Sequence, residues 1–142
     1  STNNKIHILI AEDEIANQKV IYKALIKLGY NNIDIVENGS LMVKAVIKKT
    51  YDVIFIDIRM PIMDGYQATT KVIEYLDINK KQYPFFIAVT ALEDLQMKEK
   101  CSKIGIHYVL KKPFNFMALR KIMDIVKNKK MNVNKNFNIS SN

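Results

Sequence analysis

The sequence predicts an α/β domain built on a doubly wound, five-stranded parallel sheet, and three observations carry that prediction. Five short segments are almost continuously apolar and rich in β-branched and aromatic residues, the pattern of strands buried on both faces. Helix-length segments with apolar residues three and four apart separate them. Each strand is followed by a helix, and strict alternation of this kind calls for right-handed crossovers with helices on both faces of the sheet. The 142 residues, 49% apolar and 25% charged, suit one compact domain, and two would be cramped.

The first strand is read in KIHILIA, residues 5–11, and the helix after it in the spacing of Ile15, Val20, Ile21, Ala24, Leu25 and Leu28, with Gly29 as its stop. NIDIV supplies the second strand, and Asn38, Gly39 and Ser40 offer capping chemistry for the second helix. The third strand lies in YDVIFID, residues 51–57, and the polar run YLDINKKQYP, Tyr75 to Pro84, reads as a loop after the third helix. FFIAVTA forms the fourth strand. Glu93 to Ile104 follows with weak periodicity, setting Leu95, Met97, Cys101 and Ile104 among many charges, as an adaptable surface helix would. HYVLKK is the fifth strand, and Phe116, Leu119, Ile122, Met123 and Val126 mark the last helix. From Asn128 onward the chain is acid-free and polar, which predicts a domain over 1–127 and a disordered tail or linker over 128–142. No internal repeat is present.

Composition excludes several classes of function. Twenty-two basic residues against 14 acidic ones leave a net charge of +8, which raises nucleic acid as a partner. Only Arg59 and Arg120 are arginine, however, and the lysines are scattered, so the reading is a solvated surface without direct nucleic-acid contact. No apolar run approaches the ~20 residues of a membrane span, and STNNK is no secretory signal, so a soluble, cytoplasmic protein without membrane contact is expected. Cys101 is the only cysteine, which rules out an internal disulfide and suits a reducing compartment. The absent initiator Met points to processing or excision from a longer chain. His7 and His107 are too isolated to pair as ligands or bases and read as packing, as do the methionines.

In an open α/β sheet the chemistry gathers beyond the carboxyl ends of the strands. Here the first strand ends in Ala11-Glu12-Asp13-Glu14, the third in Asp57, the fourth in Thr90-Ala91 and the fifth in Lys111-Lys112-Pro113. Taken singly, each has a plain structural reading: Asp57 caps a turn, the acidic cluster caps a helix at its positive end, Thr90 is a β-branched strand residue and Lys112 a surface charge. Together they read differently. Glu12, Asp13 and Asp57 side by side repel one another and destabilise the fold unless a cation sits among them, and magnesium, a hard ion that takes carboxylate and phosphate oxygens, is the natural one. A nucleophilic carboxylate, a metal, a hydroxyl donor and an ammonium are what phosphoryl transfer to Asp requires.

The segment DVIFIDIRMPIMDG, Asp52 to Gly65, closely resembles the phosphoacceptor signature of response-regulator receiver domains, and the resemblance extends from about Lys5 to Lys127. It implies a flavodoxin-like (βα)5 sheet of strand order 2-1-3-4-5, the order given for this family among known doubly wound folds. It implies transfer of a phosphoryl group to Asp57 from a phosphohistidine on a histidine kinase or histidine phosphotransfer protein. Glu12, Asp13, Asp57 and the Arg59 backbone carbonyl would bind Mg2+, with Mn2+ as a substitute, while Thr90, the Ala91 amide and Lys112 hold the phosphoryl oxygens. CSKIGIHYVLKKP, Cys101 to Pro113, matches the pattern in which the essential Lys immediately precedes Pro, selecting Lys112, and Lys111 would point the other way on an alternating strand. Val109 stands where many receivers carry the Tyr or Phe that turns inward on activation, and Tyr108 is one place off. The implied switch changes the surface of the fourth helix, fifth strand and fifth helix, where a downstream partner binds, the domain itself being a monomer or weak dimer. Arg59 and Leu92, each two residues beyond a site residue, flank the path of hydrolytic water and would give a long-lived phosphoaspartate.

Competing readings are fewer. A haloacid-dehalogenase-type phosphatase also uses a strand-end Asp, but in a D-x-D pair on the first strand, whereas Asp57 is followed by Ile58-Arg59 on the third. A flavodoxin needs a hydroxyl-rich phosphate loop after the first strand, where Glu12-Asp13-Glu14 would repel phosphate. A DNA-binding regulator would need a further domain, for which the tail is too short. AEDEIANQKV, Ala11 to Val20, looks most like the receivers fused to hybrid sensor histidine kinases, with a stand-alone phosphorelay receiver and a degenerate, phosphorylation-independent interaction module as alternatives. A free-standing enzyme is not expected; the domain would catalyse only its own phosphorylation and slow dephosphorylation.

Overall fold

A computed structural model of the chain describes residues 5–91 and 94–140, with side chains through Asn132. Its elements run β1 (His7–Ala11), α1 (Ile15–Lys27), β2 (Asn32–Val36), α2 (Gly39–Lys48), β3 (Val53–Asp57), α3 (Gly65–Ile78), β4 (Phe85–Thr90), α4 (Leu95–Ile104), β5 (Tyr108–Lys111) and α5 (Phe116–Ser140). All strand pairs are parallel and the sheet order is β2-β1-β3-β4-β5, as expected for a doubly wound sheet.

The two-residue period of the strands divides the core into two layers. Leu9, Ile54, Ile56 and Ala88 face one side, where α2 contributes Met42 and Val46, α3 contributes Val72 and Leu76, and α4 contributes Met97 and Cys101. Ile8, Ile10, Phe55, Ile87 and Val89 face the other, against Ile21 and Leu25 of α1 and Leu119, Met123 and Val126 of α5. β3, central and covered on both faces, is buried at every position, whereas the edge strand β2 has none fully buried. This difference explains why VIFID is continuously apolar and NIDIV alternates with polar residues. After β2 the winding reverses to place β3 on the far side of β1, so the ends of β1 and β3 flank the switch point.

Local signals set the boundaries. The Asn38 side chain accepts from the Leu41 amide at 2.8 Å to cap α2, and Asp64 with Gln67 forms a capping box at α3. Gly29, just beyond the C-cap Leu28, takes the left-handed conformation that ends α1.

Two boundaries differ from the sequence expectation. α3 continues through Ile78, so Tyr75 to Ile78 are helical and the loop begins only at Asn79; Leu76, four residues after Val72, is buried with it. The expected disordered tail from Asn128 is instead a continuation of α5 to Ser140. No Pro or Gly interrupts the chain after Pro113, and Lys130 ties the helix to the body through an ion pair with Asp52, Nζ to Oδ1 at 2.6 Å. Lys129 also reaches the Tyr108 hydroxyl. No helix among the described residues is long and apolar enough to cross a membrane.

Candidate functional site

Four strand ends meet at the carboxyl edge of the sheet. Asp57 is the last residue of β3, held between β1 and β4, and is buried. Glu12 and Asp13 leave the end of β1; Glu12 is 1% exposed, while Asp13 is open to solvent. One carboxylate oxygen from each of Glu12, Asp13 and Asp57 lies within 4.8 Å of the others. Lys112, just past β5, sends its Nζ to 2.6 Å from Glu12 Oε1 and 3.6 Å from Asp57 Oδ1. Thr90, buried at the end of β4, lines an open cleft of about 680 Å³ with Asp13, Arg59 and Asp94. Ala91 and Lys112 border a different hollow, with Pro113 and Phe114.

Burial and like charge dominate the electrostatics. The Asp57 carboxyl is pushed up to about 8, first by burial, then by its contacts with the Glu12 and Asp13 carboxyls, with Lys112 opposing. For Asp13 burial acts upward, but hydrogen bonding with Asp57 and Glu12, its own amide and the Lys112 charge outweigh it, so it lies below its ordinary value. Burial lowers Lys112, and the Glu12 and Asp57 carboxylates more than offset that, raising it. Three converging carboxylates, one of which keeps its proton near neutral pH when no cation is present, are the oxygen-donor set a hard divalent ion takes.

The remaining candidates fall at different distances from this cluster. The Arg59 side chain is exposed, and its backbone N–H donates to Asp57 Oδ1 at 3.3 Å. Lys111 is exposed and pairs with Thr90 in the sheet, so Lys112 alone of the two lysines enters the site. Val109 is half-buried against the layer formed by α2, α3 and α4, while Tyr108 packs on the opposite layer. Leu92 lies outside the described residues. His7 opens β1, its N–H bound to Asp52 at 2.8 Å, and His107 is exposed, both away from the cluster.

Sequence reasoning missed two supporting groups. The Gln18 Nε2 donates to the Glu12 carbonyl at 2.7 Å, bracing the acidic turn from within α1. The amide of Arg59 orients the Asp57 carboxylate, a role that the expectation for its carbonyl did not include. The signal for Gln18 was present, since an amide one turn into a helix faces back to the preceding loop.

A doubly wound sheet with a buried strand-end carboxylate, two acidic neighbours and a lysine at its switch point is an open α/β domain with a charged site outside the carboxyl ends of its strands. The chain belongs to the response regulator receiver domain family, whose model matches residues 8–124. Among curated relatives, hybrid signal transduction histidine kinase B of Dictyostelium discoideum is 36% identical over 114 residues, covering 75% of this chain and 6% of that protein. Hybrid signal transduction histidine kinase K of the same organism is 31% identical over 94% of this chain and 11% of its own length. The chain thus spans a small part of the relatives it matches. Among solved structures, the receiver domain of a sensor histidine kinase from Pseudomonas aeruginosa PAO1, with a magnesium ion coordinated in its active-site cleft, is 32% identical, with a TM-score of 0.73, covering 87% of this chain and 98% of that one. A Saccharomyces cerevisiae response-regulator receiver, crystallised with its histidine phosphotransfer protein, is 28% identical, with a TM-score of 0.76, covering 83% and 86%.

Proposed function

We propose that this receiver domain accepts a phosphoryl group on Asp57 from the phosphohistidine of a histidine kinase or histidine phosphotransfer protein. The observation that carries the proposal is the convergence of Glu12, Asp13, Asp57 and Lys112, in which the buried Asp57 carboxyl is pushed to about 8. In the reaction a carboxylate oxygen of Asp57 attacks phosphorus; the new P–O bond forms as the P–N bond to the donor imidazole breaks, and the imidazole leaves as the neutral base after taking a proton from solvent.

Glu12, Asp13, Asp57 and the Arg59 carbonyl would hold Mg2+, or Mn2+ in its place, and the ion supplies charge neutralisation for the carboxylates and the phosphoryl oxygens. The chain's own groups do the rest. The Lys112 ammonium, 3.6 Å from Asp57 Oδ1, would reach a phosphoryl oxygen on that carboxylate, the Thr90 hydroxyl and Ala91 amide would donate to it from the neighbouring strand end, and the Arg59 N–H fixes the Asp57 carboxylate for attack. Arg59 and Leu92, two residues beyond Asp57 and Thr90 in sequence, would shield the product from water and give a long-lived phosphoaspartate.

Phosphorylation then changes the α4–β5–α5 face for a downstream partner. That α4 buries only Met97 and Cys101, leaving Leu95 72% exposed, supports a surface able to change partners. Residues 1–127 would then be a cytoplasmic receiver, part of a hybrid histidine kinase or a stand-alone response regulator, with residues 128–142 as its tail or linker; likeness to hybrid histidine kinases supports the first of these. Intact mass after incubation with a small phosphodonor tests the reading: one added phosphoryl group, dependent on Mg2+ and absent in Asp57→Asn, is expected. No addition from either the small donor or a phosphohistidine protein would overturn it.

A further inference from the structure

We infer that Gly39, at the start of α2 and far from Asp57 in sequence, is a positioning residue for the phosphoacceptor site. The inference rests on the reading of Asp57 as that acceptor. The connection from β3 to α3, residues 58–64, carries the Arg59 amide that binds Asp57 Oδ1 at 3.3 Å. Its near end is fixed by the bond from the Gly65 amide to the Ile58 carbonyl at 2.9 Å. Its far end is fixed from outside, where the Gly39 N–H donates to the Met63 carbonyl at 3.2 Å.

The approach of the two backbones tolerates no side chain. A Cβ on Gly39 would stand 2.2 Å from the Met63 oxygen and 2.9 Å from its carbonyl carbon, both main-chain atoms that no rotamer change can move aside. α2 is the less yielding partner: Asn38 caps it through Leu41, and Met42 one turn on is fully buried. Displacement therefore falls on the connection. That segment already holds Ile62, a β-branched residue, at φ 70, and a conformation so unfavourable persists only where both ends are held. Pressing Met63 outward shifts the other end of the same short segment, where Arg59 orients Asp57.

The sign of the stability change separates this from ordinary helix effects. Gly39 does not occupy the left-handed region, and alanine at a helix start with compatible backbone normally stabilises. Gly39→Ala is expected to lower Tm, to move the Arg59 and Asp57 backbone amide resonances, and to weaken binding of Mg2+ alone severalfold. Asn38→Ala, which removes the α2 cap without adding an atom toward Met63, should lower Tm and leave the Arg59 resonance in place. A higher Tm for Gly39→Ala with an unmoved Arg59 amide would overturn the inference, as would the same displacement in Asn38→Ala. Should Gly39→Ala not fold, Gly39→Ala/Met63→Gly is compared with Met63→Gly alone, and equal Arg59 resonances overturn it. If wild type takes up neither Mg2+ nor phosphoryl groups, the phosphoacceptor reading fails, while the Arg59 amide still reports on Gly39.

Discussion

Lys112 and Glu12, from opposite ends of the chain, form the tightest ion pair of the site, 2.6 Å from Nζ to Oε1, with the Glu12 side chain 1% exposed. The same ammonium stands 3.6 Å from Asp57 Oδ1, so one cation serves the buried Glu12 and Asp57 carboxylates together. A buried charge stripped of its partner is costly. Lys112→Ala is therefore expected to lose about 3 kcal/mol of stability, by the cost typical of breaking a buried pair, and to lose phosphoryl uptake as well. Urea unfolding of the variant at pH 7 checks the first, and a stability equal to wild type would contradict it.

The raised Asp57 carboxyl makes the cation-free protein sensitive to alkali. An acid whose folded value, about 8, exceeds its ordinary 3.8 adds stability that is complete below 3.8 and disappears as pH rises through 8. The lowered Asp13 works in the acid window, losing its contribution as pH falls below 3.8, and the raised Lys112 loses its own only above 10.5. Between pH 5 and 8 the Asp57 effect dominates, so unfolding midpoints in chelator should fall across that range. Asp57→Asn should flatten the slope and raise the midpoint at pH 8, and Mg2+ should do so in wild type. A flat wild-type profile in chelator would count against the reading.

How far the sequence could be read depended on whether a residue's fate was local. The five strands were legible because burial on both faces leaves an apolar run that polar loops delimit, and Asp57, Thr90 and Lys112 were legible because each ends such a run. The end of α3 was not, since Tyr75 to Ile78 stand beside a polar stretch that masks the spacing of Val72 and Leu76. The course of α5 past Lys127 was hidden for another reason: its anchor, Asp52, lies on a distant element, and composition alone cannot reveal that pairing. The Arg59 amide and the Gly39 contact belong to the backbone, which side-chain patterns do not report.

Lys130 tests the longer helix directly. Its partner Asp52 also accepts from the His7 amide at 2.8 Å, so the pair ties α5 to the starts of β1 and β3. Lys130→Ala should cost only about 1 kcal/mol, as for a partly exposed pair. It should nevertheless speed amide exchange selectively in the last turns of α5, measured residue by residue, with Asp57 and Glu12 unaffected. Unchanged exchange there would remove the anchor from the account.

The proposal that Arg59 and Leu92 shield the phosphoryl group is read out as a lifetime. Leu92→Glu, which replaces an apolar side chain two residues beyond Thr90 in sequence with one able to orient water, should shorten the half-life of the phosphorylated protein severalfold in the absence of any phosphatase. Intact mass followed over time after donor removal measures it, and rapid loss in wild type would contradict the shielding role.

The most direct test of Asp57 as the acceptor is chemical trapping. Borohydride reduces an aspartyl phosphate to homoserine, so phosphorylated protein, reduced and digested, should yield a peptide with homoserine at position 57, only when Mg2+ was present during labelling. Homoserine at another acidic position, or phosphoryl uptake that persists in Asp57→Asn, would contradict the assignment.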